Sequence, residues 1–178
     1  MRFKNSERGA VIAESVIVLP MLVWAYLAMS VYWDAYATKN TVQKATYTIA
    51  DMISREMNPI SGPHVDGLLT VMDFLIEKDL NTTLRVSSIT RNAAALRFEV
   101  LWSYSPQNRV PVLTTTQLQE TAFSSRIPAM ADGDTVVLLE ASVGYQPAFE
   151  VGLSDIVFQE YIVTRPRFVP AICFATVC

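Results

Sequence analysis

The hydrophobic pattern of this chain changes twice. From Ala10 to Tyr32, 23 residues carry one charged side chain, Glu14. From Tyr36 onward, apolar residues recur every three or four positions at Tyr36, Val42, Ala45, Ile49, Met52, Ile53 and Met57, with Lys39, Asn40, Gln43, Lys44 and Asp51 between them. That spacing predicts an amphipathic helix continuing the apolar run. "NPISGP", Asn58 to Pro63, is expected to end it. A second helix is predicted from Val65 to Lys78, with Leu68, Leu69, Met72, Leu75 and Ile76 on its apolar face.

The period then becomes two. Leu84, Val86 and Ser88 mark a first strand. In "LRFEVLWSY", Leu96, Phe98, Val100, Trp102 and Tyr104 are expected on one face, and Arg97, Glu99 and Ser103 on the other. Asn92 supports a turn between these two strands, and so a hairpin. Pro106 to Pro111 reads as a loop and Thr115 to Ser124 as a short helix. "DGD", Asp132 to Asp134, signals a turn before a third strand, "TVVLLEASVGY". A fourth is expected from Gln159 to Arg165, stopped by Pro166. This order predicts an α+β fold: a long N-terminal helix, transmembrane and then amphipathic, packed on an antiparallel sheet of about four strands.

At ~1.5 Å per residue, the 23-residue run spans about 34 Å, enough for a hydrocarbon core of about 30 Å. Arg2, Lys4 and Arg8 precede it against Glu7 alone, which favours a cytoplasmic N-terminus and an exported remainder. Tyr26, Tyr32, Trp33 and Tyr36 stand at the far end, where interfacial aromatics belong. Three readings follow: a secretory signal cut near "DAYA" (Asp34 to Ala37), a plain single-span anchor, or a span in which Glu14 has a task.

The chain has 178 residues, of which 51% are hydrophobic and 17% charged, with a formal net charge of −3. Without a basic tract beyond the N-terminus, it lacks the electrostatic signature of nucleic-acid binding. Asp132 and Asp134 are too few oxygens for a calcium loop and are read as turn chemistry. His64, the single histidine, has no companion ligand for zinc. Ser15, Ser103 and Ser154 have no nucleophile elbow, and there is no glycine-rich phosphate loop. No catalytic, cofactor or metal residue is expected, and no small-molecule substrate. Trp102 and Tyr104 are read as core. Arg165 and Arg167 could bind an anionic partner, but are expected instead to form ion pairs or to stay solvated. Cys173 and Cys178 enclose four residues; they close a small loop in an oxidising compartment or remain two thiols. Pro20 removes a donor to the Val16 carbonyl, either as a tolerated membrane proline or as a point where the helix kinks.

"RGAVIAESVIVLP", Arg8 to Pro20, resembles the class III signal of type IV pilin-like proteins: a short basic leader, glycine, glutamate fifth after it, and an apolar run. "ERGAVIAESVIVLPMLV" is also similar to the start of TadE-like minor pilins (pseudopilins) of tight-adherence pili, and "DGDTVVLLEASVGYQPAF" with "YIVTRPRFVP" to their closing pattern. Ser15 stands where tight-adherence pilins usually carry Phe or Tyr, and Ala10 where better-known pilins carry Phe.

The resemblance implies cleavage by a prepilin peptidase between Gly9 and Ala10, and a Glu14 that pairs with the freed N-terminal amine of a neighbouring subunit. It implies four segments: a cytoplasmic leader (1–9), a transmembrane helix (10–33), its periplasmic continuation (34–57) and a periplasmic α+β domain (58–178). The implied partners are the peptidase, other minor pilins, the major pilin, the inner-membrane assembly platform and membrane lipid. The alternative is a membrane-anchored periplasmic binding domain that does not polymerise.

Overall fold

A computed structural model describes residues 7–76 and 80–178. The helix α1 (Glu7–Ser54) is a single element of 48 residues that continues through Pro20. At ~1.5 Å per residue it is about 72 Å long. The helix α2 (Gly62–Ile76) follows. The sequence-predicted end of this helix at Lys78 lies outside the described residues.

Four strands come next: β1 (Thr82–Asn92), β2 (Arg97–Tyr104), β3 (Thr135–Tyr145) and β4 (Ile156–Thr164). They form one antiparallel sheet in the order β2-β1-β3-β4. The α+β layout expected from the sequence is therefore the observed one. β4 begins three residues before the predicted Gln159, because Ile156 still pairs with Tyr145 at the end of β3.

One sheet face receives α1 and α2. Along α1, Val31, Ala35, Thr38, Val42, Ala45, Ile49 and Ile53 are buried, a stripe with steps of three and four. Tyr36, Met52 and Met57, expected on this face, are exposed instead. Small residues replace them: Ala35, Thr38 and Ala50 let the helix approach the sheet closely. Thr46 is also buried, and its hydroxyl is satisfied by the Val42 carbonyl at 2.7 Å. The facing residues are Leu84 and Val86 from β1, Val137, Leu139, Ala141 and Val143 from β3, and Ile162 from β4. Each large aliphatic side chain buried here contributes about 1.5–3 kcal/mol.

The opposite face carries a second, smaller core that the sequence reading did not contain. Ile89, Val136 and Leu138 pack there under Leu113, Leu118, Ile127 and Met130. The cover is the β2–β3 connection, with short turns at α3 (Thr115–Leu118) and α4 (Thr121–Ser124) where one helix was expected. Thr114 and Gln117 form a capping box at α3.

β2 serves both cores. Val100 pairs with Ile89, yet Trp102 pairs with Ser88, so Leu101 is an extra residue in a β-bulge. The bulge breaks the alternation. Phe98 and Val100 pack against the second core, and Leu101, Trp102 and Tyr104 against the first. The single apolar face predicted for β2 is thus two half-faces. Leu96 is not in the strand at all; it sits in the turn with φ 51° and is exposed.

Beyond β4, the chain folds back over the helical face. The Arg167 amide donates to the Ser54 carbonyl at 2.8 Å, closing the end of α1. Ile172 is buried and accepts a hydrogen bond from Trp102 Nε1 at 2.8 Å. Phe174 stacks on Tyr104 with ring centroids 5.1 Å apart. Cys173 and Cys178 form a disulfide around this turn.

Candidate functional site

Every described side chain from Val11 to Tyr26 is exposed. Leu27 and Ala28 are half-buried, Met29 and Ser30 are exposed, and Val31 is the first buried residue of α1. The first 20 of these positions, Val11 to Ser30, measure about 30 Å along the axis. This helix is long and apolar enough to cross a membrane, and none of its most apolar window is buried inside the protein. An exposed apolar surface of that extent is the kind that marks a membrane or protein contact.

The polar groups of this segment are handled one by one. The Ser15 hydroxyl donates to the Val11 carbonyl at 2.8 Å, and the Ser30 hydroxyl to the Leu27 carbonyl at 2.8 Å. Neither serine brings an unsatisfied donor into an apolar medium. Pro20 lies inside the helix, where its ring nitrogen has no proton to give the Val16 carbonyl. Glu14 is exposed on the rod, one turn from Val11. At the other end Tyr26, Tyr32, Trp33 and Tyr36 are all exposed, within three turns of the boundary at Val31. Gly9 and Ala10 belong to the first turns of α1.

The boundary itself is fastened. The Tyr145 hydroxyl donates to Asp34 Oδ2 at 2.9 Å and lies 3.5 Å from the Val31 carbonyl oxygen. Burial, then the hydrogen bond to Asp34 and its charge, pushes this hydroxyl up to about 12. The sequence places Asp34 in a possible cleavage site and Tyr145 at a strand end, but nothing in it joins the two. An aspartate directly after an apolar run was the one available signal.

The other singled-out residues are structural in this fold. Asp132 pairs with Arg91 at 3.1 Å and Asp134 with Arg165 at 3.2 Å, around a turn in which Gly133 takes φ 79°. Arg167 pairs with Asp51 at 2.6 Å. His64 Nε2 lies 3.4 Å from Glu56 Oε1. Ser103 hydrogen-bonds Ser87 at 2.9 Å. Among the described residues, no group of three or more His, Cys, Asp or Glu side chains could hold a metal ion. A bidentate pair, Arg85 with Glu140, sits nearly buried on the outer sheet face; Arg85 also donates to the Pro111 carbonyl at 2.7 Å. No pattern in the sequence joined those two.

Comparison with family models, with curated proteins and with solved structures finds no match to this chain.

Proposed function

We propose that this chain is a TadE-like minor pilin, a membrane-inserted subunit that takes part in assembling a bacterial tight-adherence pilus. It is made as an inner-membrane precursor, trimmed by a prepilin peptidase after Gly9, with the sheet domain in the periplasm. Its work is to initiate, cap or couple the pilus through helix contacts with other minor pilins, the major pilin and the assembly platform. It transforms no substrate.

One observation carries this reading. From Val11 to Ser30, α1 is a largely uncovered apolar rod with a single charge, Glu14, and it runs without interruption into a helix packed on an antiparallel sheet. A rod of that kind passes between two apolar settings, lipid and neighbouring helices, with little change in solvation. A buried carboxylate is costly in both, by about 2.5–3.5 kcal/mol at the bilayer centre and less near its edge. Pairing with the ammonium of Ala10 on a neighbour offsets that cost and rewards one axial alignment over others.

The deciding experiment is the N-terminal residue and intact mass of the protein from native membranes, with and without the prepilin peptidase. The expected result is a chain beginning at Ala10 that reverts to the full precursor when the peptidase is removed. The same uncut N-terminus in both strains, or cleavage near Ala37, overturns the reading and favours an anchored or secreted domain.

A further inference from the structure

The β3–β4 loop, residues 146–155, closes on itself where Gln146 Nε2 donates to Asp155 Oδ2 at 3.2 Å. Its inner side lies against α1. Val151 is buried, and a Cβ on Gly152 would stand 3.8 Å from the Tyr32 hydroxyl. Gly152 has φ 94°, a conformation that glycine adopts without strain and that turns the chain at this contact.

The level of this contact matters. Leu27 and Ala28 are half-buried while Tyr26, Met29 and Ser30 are exposed. They continue the Val31 and Ala35 stripe by one more turn towards the N-terminus. Side chains on a helix lean towards its N-terminus, so the Tyr32 hydroxyl sits lower on α1 than its own Cα. The globular part therefore reaches down beside the last turn of the apolar rod. At the tip of the loop, Phe149 is 51% exposed between exposed Ala148 and Glu150.

We propose that this loop is a second membrane contact: Phe149 enters the headgroup–acyl boundary of the same bilayer that α1 crosses, in the layer of Tyr32, Trp33 and Tyr36. The proposal rests on the reading of α1 as a membrane span. Two observations carry it. The loop is joined to α1 at the end of the apolar run, so its level follows from that of the helix. Its tip presents an aromatic side chain that the fold leaves uncovered, and aromatic rings are favoured at this depth. Its charges are acidic, Glu150 and Asp155, with no lysine or arginine from 146 to 155. These carboxylates add no attraction to lipid, and an anionic surface repels them. A single helix leaves a domain free to rock about its anchor; a second contact at Phe149 holds the sheet at one tilt.

The test uses the full chain in phosphatidylcholine nanodiscs, with a nitroxide on one engineered cysteine at a time: Ala148→Cys at the loop, Leu22→Cys on the rod, and Ala94→Cys at the β1–β2 turn. The native cysteines are disulfide-bonded and do not take the label. Collision rates with oxygen and with a water-soluble nickel complex report depth. The expected ratio of oxygen to nickel collisions is highest at 22, several-fold above the Ala94 value at 148, and water-like at 94. Adding Phe149→Asp returns position 148 to the Ala94 value and leaves position 22 unchanged.

If 22 is also water-like, the span reading itself fails. If 22 is immersed and 148 is water-like, the span stands and the loop contact is overturned. If 148 is shielded from both colliders, the loop is covered by protein, such as a second copy, and the lipid contact is likewise overturned. Adding an anionic lipid to the nanodiscs lowers the 148 ratio through repulsion of Glu150.

Discussion

Tyr145 and Asp34 are 111 residues apart in the chain and joined by a 2.9 Å hydrogen bond. The bond ties the last residue of β3 to α1, one turn above the first buried position, Val31. Tyr145→Phe leaves the ring in place and removes the donor to a carboxylate. We expect a loss of about 1–3 kcal/mol near neutral pH, read from urea unfolding in detergent.

The same residue gives a pH prediction. Its hydroxyl titrates near 10 when unfolded and is pushed up to about 12 in the fold. The folded state therefore holds the proton more tightly, and its stabilising contribution is complete below about pH 10 and lost as pH rises towards about 12. The stability gap between the wild type and Tyr145→Phe should narrow across that window. A gap that stays constant would show that the hydroxyl has no altered titration.

Arg85 and Glu140 form the one nearly buried ion pair among the described residues, with each side chain about 10% exposed. Glu140→Gln leaves the guanidinium short of a counter-charge, and a cost of about 3 kcal/mol is expected. Replacing both, Arg85→Met with Glu140→Leu, should cost much less, because both desolvation penalties disappear together. Thermal unfolding of the two variants side by side measures the contrast.

Leu101 makes an unusual deletion site. Val100 faces Ile89 and Trp102 faces Ser88, on opposite sides of the sheet. Removing Leu101 keeps both pairings and both facings, so the protein should fold with a loss of about 1–3 kcal/mol from the lost side chain. Removing Glu99 instead turns Phe98 away from its core and should abolish cooperative unfolding. Near-ultraviolet circular dichroism separates the two outcomes.

Glu14→Gln tests the proposed function. In purified protein in detergent, stability should be unchanged, since Glu14 lies outside the packed part of α1. In cells, pilus assembly should fall sharply while the amount of membrane-inserted protein is retained. Normal piliation with Gln at this position would remove the amine-pairing role.

Much of this fold could be read from periodicity, and the failures have definite causes. The long helix, α2 and β3 were legible because their patterns are regular and their ends carry turn chemistry. The bulge was not, because Phe98, Val100, Leu101, Trp102 and Tyr104 are all apolar and the extra residue leaves the alternation apparently intact. The face of α1 was misjudged where packing depends on smallness: Ala35 and Ala50 carry less apolar surface than Tyr36 and Met52 but are the residues buried there. The second core escaped notice because irregular chain covers it. Glu14 stood out as a lone charge in an apolar run. The Tyr145–Asp34 fastening and the loop at Phe149 depend on which strand ends beside which helix turn, and that is fixed by tertiary contacts.

The continuity of α1 through Ser30 sets an angular relation between Glu14 and the sheet domain. Each residue of an α-helix adds about 100° of rotation and about 1.5 Å of height. Inserting one alanine after Trp24, within the stretch where every described side chain is exposed, would therefore turn the whole domain by about 100° about the shaft while leaving its packing on α1 intact. Four inserted residues would nearly restore the original heading and raise the domain by about 6 Å. If neighbours are met through both the rod and the sheet, activity should vary with insertion length as a helical phase, recovering near whole turns rather than declining steadily.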